Sequence, residues 1–113
     1  MRIEVREAGR VRILDLHGRL VLGQPEDTLK ETVQGLLAAS HHQLLINLHG
    51  VPYVDSAGIG QLAACKKRVL EKKGAIKVLW TDGKYHLAVD TIIMLMFPQA
   101  LFEDEGRALD SFR

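Results

Sequence analysis

Leu44-Leu45-Ile46-Asn47-Leu48 is a short, almost unbroken apolar run, and it constrains the fold more than any other stretch of the chain. A strand with one wet face alternates apolar and polar residues. A run that is apolar at successive positions suits a strand covered on both faces, as in a parallel sheet flanked by helices. Ala75 to Trp80 reads as a second buried strand. Around these runs the period changes. Leu29, Val33, Leu36 and Leu37 recur at helical spacing after Pro25, and Pro25, Glu26 and Asp27 suit a first helical turn. Ile59, Leu62, Ala63, Val69 and Leu70 outline a second helix running to Gly74. Residues 85 to 97 give a third, strongly apolar helix bounded by Pro98, and Asp104 to Phe112 a short fourth with Ala108, Leu109 and Phe112 on one side.

The chain opens differently. Ile3 and Val5 alternate with Glu4 and Arg6, and Val11, Ile13 and Leu16 continue the alternation, interrupted at Leu14. With Ala8-Gly9-Arg10 as the turn, these two elements predict an antiparallel hairpin. Gly18 and Gly23 bracket an irregular connection, and Ala100-Leu101-Phe102 reads as a short edge strand. The order ββ-α-β-α-β-α-β-α predicts a mostly parallel α/β sheet with right-handed crossovers and an antiparallel edge. At 113 residues, without internal repeat or linker, residues 1–113 are expected to form a single domain.

Composition narrows the function classes. Fifteen Lys and Arg against fourteen Asp and Glu leave a net charge of +1. That balance argues against direct nucleic-acid binding, which calls for a basic excess. The longest apolar run, Ile92 to Phe97, falls far short of a membrane span. The charged alternation at the N-terminus does not fit a secretory leader. Cys65 has no partner for a disulfide, which suits a reducing, cytoplasmic setting.

Val54-Asp55-Ser56-Ala57-Gly58-Ile59-Gly60, between a buried strand and a helix, is the segment that bears on chemistry. The first backbone N–H groups of a helix lack intrahelical partners and, with the helix dipole, favour an anion. Asp55 or Ser56 is therefore a candidate N-cap, and Ser56 is also a candidate phosphate acceptor; ligand binding at the helix start is a third reading. A nucleophile elbow needs glycine where Val54 stands. A Gly-x4-Gly-Lys-Ser/Thr phosphate loop is absent, and of a dinucleotide fingerprint only Gly58-x-Gly60 is present.

Other segments are plainer. His41-His42 adjoins a helix end and lacks a third ligand at metal spacing, so no metal and no cofactor is expected. Lys66-Lys67-Arg68 with Lys72-Lys73 forms a basic helix face, solvated or open to an acidic partner. Cys65 reads as a small residue at a core boundary. Ile92 to Phe97 reads either as a helix wedged against the sheet or as an exposed patch for another chain, with Met94 and Met96 suited to an adaptable contact.

Taken together, Leu45-Ile46-Asn47-Leu48, Val51 to Gly60, the helix ending at Gly74 and Ile76-Lys77-Val78-Leu79 resemble the STAS domain of bacterial anti-sigma factor antagonists. The specific part is Asp55-Ser56-Ala57-Gly58-x-Gly60 at a helix start, and the pattern of Gly18, Leu20 and Phe97 to Phe102 extends the likeness over nearly the whole chain. The resemblance implies a mixed four- to five-stranded sheet with four helices packed mainly on one side. It implies a non-enzymatic, cytoplasmic regulator of transcription that works by partner switching: an unphosphorylated antagonist binds an anti-sigma factor with serine kinase activity, phosphorylation of Ser56 breaks the complex, and a serine phosphatase restores it. On that likeness the partner-binding residues are Tyr53, Asp55, Ser56, Ala57, Gly58 and Ile59, with no membrane partner. Ala57 stands where the family motif carries a second hydroxyl, which leaves Ser56 its only acceptor, and Val21 stands where an Asp commonly follows Gly-x-Leu. Two other roles stay open: a STAS subunit or scaffold of a larger stress-signalling or lipid-transport assembly, and a small-ligand or nucleotide sensor.

Overall fold

The computed structural model describes residues 1–113 as a five-stranded sheet with four helices. The strands are β1 (Arg2–Ala8), β2 (Val11–His17), β3 (Gln43–Gly50), β4 (Ala75–Leu79) and β5 (Leu101–Phe102). The helices are α1 (Gln24–Ala38), α2 (Ser56–Glu71), α3 (Leu87–Met96) and α4 (Glu105–Asp110). The hairpin forms as expected: β1 and β2 are antiparallel, with Ala8 opposite Val11, and every later pairing is parallel.

Strand order across the sheet follows chain order, β1-β2-β3-β4-β5. Each crossover therefore steps in the same direction, and right-handed crossovers stepping one way all deposit their helices on one face. That is why α1, α2 and α3 share a face, where Leu29, Val33, Leu37, Leu62, Cys65, Val69 and Ile93 bury against Leu14, Leu16, Ile46 and Val78. α4 follows the last strand, is free of that constraint, and covers the opposite face, with Ala108 against Val11, Ile13, Leu45 and Leu79. Two cores also explain Leu14: β2 is an inner strand, so Ile13 and Leu14 are both buried, on opposite faces.

The stripe on α2 differs from the one expected. Gly58, Gln61, Leu62, Cys65 and Val69 face the core, whereas Ala63 and Leu70 are exposed. Cys65 is likewise no boundary residue: it is fully buried, and burial pushes its thiol up to about 11. The ends of α1 and α2 share one device, in which Ser40 and Lys73 take the left-handed conformation and the next N–H groups, of His41 and Gly74, reach back to Leu36 and Val69 at 2.9 Å. Gly74 is small for another reason: a Cβ there would run into the carbonyl oxygen of His42. No helix is long and apolar enough to cross a membrane.

Candidate functional site: the start of α2

Two loops leave the same end of the sheet, one from β2 to α1 and one from β3 to α2, and they are laced together. The N–H of Gly18 donates to Gly50 O (3.1 Å), that of Leu20 to Tyr53 O (2.9 Å), and that of Asp55 back to Leu20 O (3.2 Å). Leu20 and Val54 form a parallel bridge, and both are buried. Alternation does the rest. Leu20 and Val54 turn inward, while Arg19 and Tyr53 turn out, where the guanidinium lies 5.1 Å from the centre of the tyrosine ring.

Asp55 decides the geometry of the helix start. Its backbone is extended, and its carboxylate accepts from the N–H of Gly58 at 2.8 Å, which makes it the N-cap. The other carboxylate oxygen accepts from the N–H of Leu22 at 3.0 Å. These donors, Leu22 first and Gly58 second, hold the Asp55 carboxyl below the usual range. With the cap assigned to Asp55, Ser56 is the first helical residue and stands exposed, its hydroxyl outside the capping arrangement. The first turn of α2 carries no acid of its own, so it is the Asp55 carboxylate at the cap that meets the positive end of the helix dipole.

Glycine is required at 58. The residue is buried, and a Cβ would collide with the backbone carbonyl of Leu20, so only glycine lets α2 begin this close to the neighbouring loop. Tyr53 and Ser56 are exposed, and Asp55, Ala57 and Ile59 are half-buried around the same helix start. The structure thus brings five of the six expected contact residues to one surface, with Gly58 beneath it.

Sequence reasoning missed the frame under this surface. Tyr85 donates its phenol to Val51 O (2.8 Å), and Lys84 donates its amine to Leu48 O (2.9 Å) and His49 O (2.6 Å). The connection between β4 and α3 is thereby clamped onto the end of β3. Burial raises the Tyr85 phenol, helped by the charge of Asp90, and burial lowers the Lys84 amine. Leu22, which is 73% exposed beside Asp55, was also missed. Its place at the end of the apolar run Leu20-Val21-Leu22 between Gly18 and Gly23, off any helical stripe, was the available signal.

A mixed sheet with three helices on one face carries, beside a two-loop platform, an exposed serine that opens a helix and is set apart from the packing. The chain belongs to the STAS domain family, whose model matches residues 2–83. Its fold is that of solved anti-sigma factor antagonists. SpoIIAA in its unphosphorylated form superposes with a TM-score of 0.75 at 13% identity, over 97% of this chain and 96% of that one. The phosphorylated form of the Bacillus protein gives 0.76 at 13% identity, over 99% and 100%. An anti-sigma factor antagonist from Mycobacterium paratuberculosis gives 0.74 at 20% identity, over 99% and 93%. A sulfate transporter family protein from Wolinella succinogenes shares the fold equally well, with a TM-score of 0.76 at 16% identity over 92% and 85%. No curated protein sequence matches the chain.

Proposed function

We propose that this chain is an anti-sigma factor antagonist: residues 1–113 act as a single, non-enzymatic STAS domain that binds an anti-sigma factor with serine kinase activity and is switched off by phosphorylation of Ser56. The observation that carries this reading is the separation of duties at the helix start, where Asp55 caps α2 and leaves the exposed Ser56 hydroxyl free to be modified. The contact surface is Tyr53, Asp55, Ser56, Ala57 and Ile59, held in place by Gly58. A phosphate on Ser56 would add about −1.5 to −2 charge at neutral pH. It would sit next to the Asp55 carboxylate, whose two oxygens are already engaged by backbone N–H groups and cannot turn away. Binding would be lost through charge and bulk at a docked helix end, without refolding, and a serine phosphatase would restore it.

The test uses the full chain as bait in two forms, unmodified and carrying phosphoserine at 56, against a lysate of its own host. The expected result is an ATP-binding serine kinase retained by the unmodified form alone, which then phosphorylates Ser56 and fails to modify Ser56→Ala. Equal retention of one set of partners by both forms would overturn the reading. That outcome would favour a second role, as the STAS subunit of a larger assembly, for which the exposed apolar face of α3 speaks.

A further inference from the structure

β3 outruns β4. The two pair from Gln43 to Asn47, and β4 then ends, so Leu48, His49 and Gly50 continue past Leu79 with no strand on that side. A backbone carbonyl left without a partner beside a packed core is costly, and Leu48 and Val51 are both fully buried. Two side chains take the place of the missing strand. Lys84 Nζ donates to Leu48 O and His49 O, and Tyr85 Oη donates to Val51 O and, at 3.3 Å, to Leu48 O. Both residues are half-buried, and Tyr85 also packs against the core.

Other carbonyls of the same stretch are held from the opposite side, Gly50 O by the N–H of Gly18 and Tyr53 O by the N–H of Leu20. The segment that leads from β3 to Asp55 and Ser56 is thus suspended between two supports of different kinds. One is backbone, which most substitutions leave in place. The other consists of two side chains, which a substitution removes. We propose that Lys84 and Tyr85 are positioning residues for the Ser56 surface: they are not contact residues, and they hold the segment from Leu48 to Asp55 in the conformation that presents Tyr53, Ser56 and Ile59 together. This role rests on Ser56 being the switched residue. Without the clamp, Val51 and Tyr53 gain freedom and the Leu22–Asp55 bond between the two loops loosens. A partner docking on Ser56 then has to order the segment as it binds, and affinity drops although every contact residue is still present.

The test compares wild type with Tyr85→Phe, Lys84→Met and the double variant. Ile13→Val, a buried position in the core on the opposite face of the sheet, is the control that lowers global stability alone. Amide hydrogen exchange by NMR reads the segment through the N–H groups of Leu20, Val51 and Asp55. Relative to Leu45 and Ile46 in the middle of β3, these should exchange about ten-fold faster or more in the double variant, and about three-fold faster in each single variant. The Asp55 carboxyl, held low first by the N–H of Leu22, should titrate higher in the double variant and stay unchanged in Ile13→Val. The serine kinase retained by wild type should bind the double variant about five-fold or more weakly and Ile13→Val equally well. Unchanged loop exchange, a rise matched by Leu45 and Ile46, or kinase binding equal to wild type despite a loosened loop would each overturn the proposal. Exchange and the carboxyl titration need no partner. A wild type that retains no kinase therefore counts against the antagonist reading, while those two measurements still decide the clamp.

Discussion

The N–H of Leu22 donates to the carboxylate of Asp55 across 3.0 Å, joining two loops whose contributing residues are 33 positions apart in sequence. The same side chain caps α2 through Gly58, so the helix start and the platform beside it are one unit.

That unit separates two neighbouring side chains. Ser56→Ala should leave the unfolding free energy within about 0.5 kcal/mol of wild type, because an exposed hydroxyl outside the cap contributes little to packing. Asp55→Ala should lower the urea midpoint clearly, and Asp55→Asn less. The Asp55 carboxyl is depressed in the folded state, so its stabilisation is full above the ordinary carboxylate range and is lost as pH falls through the lower folded value. Urea titrations of the three variants at neutral and acid pH check this: the gap between wild type and Asp55→Ala should narrow on acidification toward that between Asp55→Asn and Asp55→Ala.

Two glycines in one helix should respond oppositely. Gly58→Ala forces a Cβ into the Leu20 carbonyl and should cost about 2 kcal/mol or more. At Gly60 a Cβ meets nothing within 4 Å, so Gly60→Ala should stabilise by about 0.5–1 kcal/mol through helix propensity. Equal effects at the two sites in denaturant titrations would contradict the close approach of α2 to the first loop.

On the opposite face of the sheet, Arg6 forks onto Asp15 at 2.5 and 3.0 Å and reaches Glu105 of α4 at 2.5 Å, while Asn47 donates to Asp15 at 2.8 Å. Arg6 foremost, with Asn47, holds the Asp15 carboxyl low. Arg6→Ala should raise it and cost about 1 kcal/mol or less, since the guanidinium is half exposed. The cost should be full above the ordinary carboxylate range and shrink as pH drops through the depressed folded value. Carboxyl-carbon titration by NMR follows Asp15 directly.

Asp90 makes a further prediction. Its buried oxygen without a partner is a standing penalty, so Asp90→Leu should raise stability by about 1–2 kcal/mol. Asp90→Asn removes the charge that adds to the effect of burial on Tyr85. The phenol should then titrate lower than in wild type yet above an ordinary tyrosine, as tyrosinate absorbance would report.

Elements with a strong local period were legible: the hairpin, the apolar strands β3 and β4, and α1. So was the opening of α2, because Asp55, Ser56 and Gly58 are short-range signals. The choice between Asp55 and Ser56 as the cap was not, since both residue types cap helices and only the extended backbone at Asp55 distinguishes them. The lacing of Leu20 to Val54 is a single bridge between distant segments and leaves no periodic trace. The apolar character of Ile92 to Phe97 was plain, but which side faced inward was not. An apolar helix lacks the polar face that would orient it, and here Ile93 and Phe97 go in while Leu95 stays out.

A sheet whose strands lie in the order of the chain has a consequence for its assembly. Once the β1–β2 hairpin exists, β3, β4 and β5 each join an edge that is already in place, and none has to be threaded between partners that have met. Each addition closes only the loop of its own crossover helix, which keeps the entropic cost of every step small and similar. The chain can therefore grow its sheet outward from the first hairpin as it leaves the ribosome, and the two-residue β5 ends that growth with an edge too short to recruit another strand.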